Sequence, residues 1–378
     1  MRYEHSRSTY SDLAGGETAV HEHISDIAFL GQILRFERAL AKSALACGVI
    51  TPAQHDDAIA AIDAYEPDLE QIAVLSAEGA NPAIPIARHL KSNLTDPSGI
   101  HVGATSQDAI DSALGLCIIA ASEPLYDGAD RLIALLRSLA EVHRGTEMIG
   151  RTLGQQATPT TFGCVAAGWM EQLQMSVDDL KRAVAQIPVQ YAGATGTLAA
   201  VHPQGIALHD ALADELGMQP RPLVWHTNRL PFIRVSGALA EVAGACRKIA
   251  SDIIFLSASE IGEVREASPG GSSSMPHKAN PAAAIAADGY ARRAPGLHVT
   301  MLDAMDCRLQ RGVGSWHAEW ATLRELFAVT ASTLSRTTAS LFGLRVNTEK
   351  MASHLNHTAT IGHATDIVDE ILNDERTT

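Results

Sequence analysis

One stretch of the chain differs in kind from its surroundings: Val264 to Asn280, VREASPGGSSSMPHKAN, is rich in Gly, Ser and Pro and lies between two apolar segments. Such a composition cannot bury itself between packed elements, so it must be a loop, and a loop this long is typically functional. Gly270 and Gly271 offer backbone freedom, Ser272, Ser273 and Ser274 offer hydroxyls, and His277 and Lys278 offer cationic donors. That set suits closure over an anion. Asn280-Pro281 reads as a helix N-cap and first helical residue, which would leave free N–H groups and a positive dipole end beside Lys278.

Two other segments share the device. His101 to Asp108, HVGATSQD, is a polar, Gly-containing loop before a long apolar run, with Thr105 or Ser106 as N-cap candidates. Arg151 to Pro159, RTLGQQATP, precedes a second run, with Thr158-Pro159 as its start signal. Any one of the three is equally an ordinary cap or turn. Together they predict a composite anion site to which His101, Thr105, Ser106, Gln107, Arg151 and Gln155 contribute.

The elements that must position these groups are helices. Apolar residues make up 46% of the 378-residue chain and aromatic residues only 4%, which favours helices packed through small aliphatic contacts over sheet. Helical spacing predicts long helices over Gln107–Arg144, with Pro124 a possible kink, and over Thr160–Gln186, Pro231–Glu263 and His317–Phe342. Pro281–Met305 continues the pattern, with a break at Pro295, and shorter helices are predicted over Glu22–Ala46 and Pro52–Leu75. Helices of about 45 Å, at 1.5 Å per residue, imply a bundle shared between subunits. The expected fold class is all-α.

The formal net charge of −14 excludes a nucleic-acid or anionic-membrane partner, so cations for an anionic substrate must be concentrated locally. Cys47, Cys117, Cys164, Cys246 and Cys307 lie far apart without zinc-like spacing and read as reduced core thiols. MRYEHSRSTY has no apolar leader core, and no stretch reaches the ~20 apolar residues of a membrane span, so a cytoplasmic location is expected. His21 and His23 flank Glu22 near Asp26, but positions two apart on a helix face different ways, so no metal or cofactor is expected. His143 ends the first long helix, where a cation would complement the dipole.

GSSSMPHKANP, Gly271 to Pro281, resembles the signature loop of the fumarase/aspartase superfamily, and HVGATSQDAIDSA and GRTLGQQATPTTFG resemble its other two motif regions in the expected order. The resemblance covers roughly residues 1–350. It implies a homotetrameric long-helix bundle whose active sites are each built from three subunits, with an N-terminal helical domain over 1–100 and a central bundle over 101–345. A shortened remnant of the usual C-terminal helical domain would occupy 346–378. Ser272 aligns with the superfamily's general base, with Lys278 beside it in the catalytic set and His101 as a second acid/base or a binding group. Ser273, Met275, His277 and Asn280 then line the substrate, with Lys278 in support.

Two departures narrow the chemistry. Fumarases and adenylosuccinate lyases carry a histidine where this chain has Leu153, and a glutamate where it has Ile285. The acid that protonates an amine or hydroxyl leaving group is thereby lost. Intramolecular addition of a carboxylate needs no such acid, because the carboxylate is already ionised at neutral pH. HVGATSQD and Gln310 to Trp320, QRGVGSWHAEW, are similar to the 3-carboxy-cis,cis-muconate cycloisomerases, which adds Arg311 as a binding candidate and implies a small tricarboxylate substrate. A 3-sulfomuconate cycloisomerase, or an adenylosuccinate or argininosuccinate lyase, is the alternative.

Overall fold

A computed structural model describes residues 16–355 and 359–374; the MRYEHSRSTY stretch lies outside them. Fourteen α-helices are present among the described residues, and the only strands are two short ribbons. The helices before the first motif are α1 (Gly16–Ile24), α2 (Asp26–Ala46), α3 (Pro52–Asp63), α4 (Leu69–Gly79) and α5 (Ala83–Ser92). The expected single helix from Glu22 is two, because Ser25 is extended and its hydroxyl caps Ala28.

The bundle is built from α6 (Ser106–Val142), α7 (Phe162–Ala185), α9 (Leu230–Leu256) and α12 (Ser315–Leu341), with α8 (Gly205–Leu216) to one side. α6 packs on α7, α7 on α9 and α9 on α12, while α10 (Ala282–Ala291) and α11 (Ala294–Asp303) lie against α9 and α12. Pro124 sits inside α6 without ending it, and Pro295 falls in the first turn of α11, where its missing N–H costs nothing. Among the described residues α6 is long and apolar enough to cross a membrane by length and composition, yet polar residues such as Asp111, Ser122 and Glu123 interrupt it and 67% of its most apolar window is buried inside the bundle. Cys117 and Cys246 are buried in the core, and desolvation pushes both thiols up to about 12. His143 is the C-cap of α6, but burial lowers its pKa, so it acts there as a neutral ring bonded to Thr146 and edge-on to Phe162, not as a cation.

The second motif is the largest correction to the helical reading. Glu147–Thr152 (β1) and Gln155–Thr161 (β2) form an antiparallel hairpin, and Thr161, not Thr158, caps α7 by accepting from Cys164 N–H. Leu153 and Gly154 make its two-residue turn, with φ of 52° and 77°, the left-handed pair that hairpin twist demands. The other ribbon pairs Val264–Arg265 (β3) with Arg345–Val346 (β4). After it, α13 (Thr348–Ser353) and α14 (Ala364–Asn373) fold back, α14 onto α7 with Asp369 bonded to Arg144.

Candidate active site

His101, Thr105, Ser106, Gln107 and Arg311 come together at the start of α6. Asp108, in its first turn, is fully buried and accepts from the N–H groups of Thr105 (2.9 Å), Ala192 (3.1 Å) and Gly193 (2.9 Å), and it faces His226 Nε2 at 2.7 Å. The loop before the helix is thus tied down from below. His101 sits at φ 56°, a region costly for a residue with a side chain, and buried Glu37 of α2 holds it there. One Glu37 oxygen accepts the His101 backbone N–H at 2.8 Å and the other lies 2.6 Å from Nδ1. Burial works to lower the pKa of this imidazole, but the Glu37 carboxylate outweighs it and the net direction is upward.

Gln107 is oriented without ambiguity. Its Nε2 donates to Asp111 Oδ2 at 3.1 Å and to the His226 carbonyl at 2.8 Å, which leaves Oε1 to accept from Arg311 Nε at 2.9 Å. Arg311 Nη1 also donates to Thr105 Oγ1 at 2.5 Å. Two strings 204 residues apart in sequence are thereby joined. Beneath them Arg229, fully buried, bridges Asp111 (2.8 and 3.1 Å) and Glu319 (2.8 and 2.6 Å), and Trp316 Nε1 donates to Asp111 at 2.8 Å. Burial pushes the Glu319 carboxyl up to about 6 even with Arg229 opposing it.

Arg151 and Gln155 lie on the hairpin. Arg151 was expected to hold a substrate carboxylate; instead its two terminal nitrogens close on buried Glu263 at 2.9 and 2.6 Å. His354 Nδ1 binds the same carboxylate at 2.6 Å, and Asn347 N–H reaches the Glu263 carbonyl at 2.9 Å. One buried acid therefore joins the hairpin, the base of the long loop and the C-terminal segment. Gln155 is exposed beside the turn, and Leu153 at the tip is fully exposed.

The serine-rich loop is a lobe with a closed neck. Gly270 and Asn280 exchange backbone hydrogen bonds of 2.8 and 2.9 Å, and Asn280 Nδ2 donates to the Gly271 carbonyl at 3.0 Å. Gly270 is thus part of the neck and not a hinge; a Cβ there would lie 2.6 Å from that of Ala282. Ser272 Oγ is half-buried and accepts from the N–H groups of Ser274 (3.3 Å) and Met275 (3.1 Å). Ser273, Met275, His277 and Lys278 are exposed on the lobe. The open helix end predicted at Asn280 is not free: the carboxylate of buried Glu266 accepts from Ala283 (3.3 Å) and Ala284 (2.9 Å), the first-turn donors of α10. Among the described residues no hydrogen bond or ion pair links the lobe to the His101–Arg311 cluster.

Sequence reading missed Glu37, Asp111, Arg229, Glu263, Glu266 and Glu319. The one local signal was charge on otherwise apolar faces, such as Asp108 and Asp111 three residues apart at the head of α6.

A family model described as "Lyase" matches residues 1–296. A 3-carboxy-cis,cis-muconate cycloisomerase of Bradyrhizobium diazoefficiens is 36% identical over 349 residues, covering 90% of this chain and 77% of the relative. A nitrosuccinate lyase of Streptomyces davaonensis is 35% identical over 360 residues, covering 90% and 75%. The crystal structure of the 3-carboxy-cis,cis-muconate lactonizing enzyme from Pseudomonas putida superposes with a TM-score of 0.83 at 30% identity, covering 93% of this chain and 84% of the other. The long-helix bundle is the fumarase/aspartase fold of these structures.

Proposed function

The chain belongs to the lyase family, and from that premise we propose that it is a cycloisomerase converting 3-carboxy-cis,cis-muconate to 4-carboxymuconolactone in aromatic (protocatechuate) catabolism. The observation that carries this reading is the bracket of Arg311 on Gln107 and Thr105, because it unites the two strings most similar to the cycloisomerases. One carboxylate of the substrate attacks the distal carbon of the conjugated double bond. The negative charge passes to the neighbouring carboxylate, and one proton is delivered to carbon. Nucleophile and alkene share one molecule, so holding their geometry supplies much of the rate.

Ser272 is the proton donor in this scheme. A hydroxyl oxygen that accepts two backbone N–H bonds is more acidic than a free one, since the same bonds stabilise the alkoxide left behind. Lys278, His277, Ser273 and Met275 accompany it on the lobe, and Thr105, Ser106, Gln107, Arg311 and His101 hold carboxylates. Asn280 serves through the neck. Leu153 and Ile285, both exposed, fit a reaction that needs no acid for a leaving group.

The working form is a cytoplasmic homotetramer with sites shared between subunits. Support comes from the exposed apolar residues Phe255, Val299, Leu302, Met305, Leu309 and Val313, too many for a free surface, and from the hairpin tip with Leu153 and Gln155, which reaches away from its own chain. Loss of diene absorbance from 3-carboxy-cis,cis-muconate tests the reaction. Wild type should consume it, and Ser272→Ala should lose at least about a hundredfold in turnover with assembly intact. An unreactive wild type that released nitrite from nitrosuccinate would move the chain to the side of its Streptomyces relative; near-normal turnover in the variant would remove Ser272 from the proton transfer.

A further inference from the structure

A tricarboxylate brings three negative charges to a chain whose own formal charge is −14, so unpaired cations are required where it binds. The arginines of the hairpin and of the cluster at the start of α6 supply few. Arg151 is neutralised by Glu263, Arg229 is enclosed between Asp111 and Glu319, and Arg311 is the one arginine left at the start of α6.

α5 makes up the deficit. A groove of about 500 Å³ opens beside the start of α6, lined by Arg88, Lys91 and Ser92 on one side and by His101 and Ser106 on the other. Its volume falls within the range of small-ligand pockets, roughly 300–1,000 Å³. Arg88 and Lys91 are three residues apart on α5 and therefore neighbours on one helix face. Among the described residues neither has a carboxylate partner, whereas the surface arginines Arg38, Arg144, Arg221 and Arg292 are each matched to an aspartate. Lys91 is close enough to His101 that its charge opposes protonation of the ring, and the one acid in contact with that ring, Glu37, is fully engaged by it. Two cations without a carboxylate partner, facing the Glu37-bonded imidazole of His101 and a helix-start hydroxyl, form an arrangement that an entering anion would complete.

We propose that Arg88 and Lys91 bind one carboxylate of a polycarboxylate substrate in this groove, opposite His101 and Ser106, and so set the preference for a trianion over a dianion. The substrate class rests on the reaction proposed above; the anion site does not.

Titration calorimetry with tricarballylate, a saturated tricarboxylate that cannot lactonise, separates the two. Arg88→Gln and Lys91→Gln should each weaken tricarballylate by about tenfold, as expected for loss of a charge-assisted hydrogen bond, while glutarate changes less. Added salt should weaken wild type more than the double variant. Arg131→Gln, placed 25 residues further along α6 or about 37 Å away, removes the same charge and should leave binding unchanged. Melting curves and Arg88→Lys, which keeps the charge and should retain most of the affinity, separate a binding effect from misfolding. Unchanged affinity in both variants, an equal loss in Arg131→Gln, or no tricarballylate binding by wild type overturns the assignment. A wild type that binds tricarballylate through Arg88 and Lys91 yet leaves 3-carboxymuconate untouched would retain the anion site and reject the reaction.

Discussion

Replacing Glu319 by Gln isolates one charge in the cluster beneath Gln107. The Glu319 carboxyl titrates at about 6 in the folded chain, against 4.5 for the ordinary side chain, because burial penalises its ionised form more than Arg229 favours it. A group whose pKa is raised by folding contributes stability that is fully present below the unfolded pKa and is lost as pH rises through the folded one. The window here runs from about 4.5 to about 6, and the displacement corresponds to about 2 kcal/mol. Gln cannot titrate, so that dependence disappears in the variant. Its amide also sacrifices a bond to Arg229, but Arg229 keeps both bonds to Asp111, and this offset does not vary with pH. Urea unfolding of both proteins at pH 4 and pH 7.5, at matched protein concentration, gives the double difference. Wild-type stability relative to Glu319→Gln should fall by about 2 kcal/mol between the two conditions. A constant difference, or one that moves in favour of wild type at the higher pH, would refute burial as the dominant influence on Glu319.

Glu37→Gln removes what offsets burial at His101, so the ring should lose its proton at a lower pH than in wild type; the basic limb of the kcat/KM profile should move to lower pH, and an unmoved limb would dissociate His101 from substrate binding. Arg151→Met leaves Glu263 buried with His354 as its remaining side-chain partner and should cost about 3 kcal/mol in thermal or urea unfolding with little change in KM. A raised KM at unchanged stability would return Arg151 to the substrate.

Much of the bundle was legible because α6, α7, α9 and α12 bury apolar faces, and burial writes its period into the sequence. The hairpin was not. Gln, Thr and Pro in Gln155–Thr161 show no strong alternation, and Thr158-Pro159 mimics a helix start that Thr161 in fact provides. Among the candidate site residues, those on local motifs such as Thr105, Gln107 and Ser272 stand out from their neighbours in the sequence. Arg229 and Glu319 do not, since their meaning lies in Arg229 bridging Asp111 and Glu319, and a separation of 118 residues between Arg229 and Asp111 leaves no pattern in a single sequence. The same holds for Glu266, which lies within the loop that was singled out yet ends up capping α10. Its presence moves the anion site away from that helix end and toward the cations of α5.

The turn at Leu153-Gly154 bears on how such a fold changes its chemistry. Leu153 is held in place by backbone geometry, and its side chain is fully exposed on its own chain. A replacement there perturbs no packing within its own chain and breaks no ion pair, so what the turn asks of that residue is its left-handed backbone and little of its side chain. The ridge of the hairpin can therefore carry acidic, basic or inert side chains in turn while the bundle beneath remains the same.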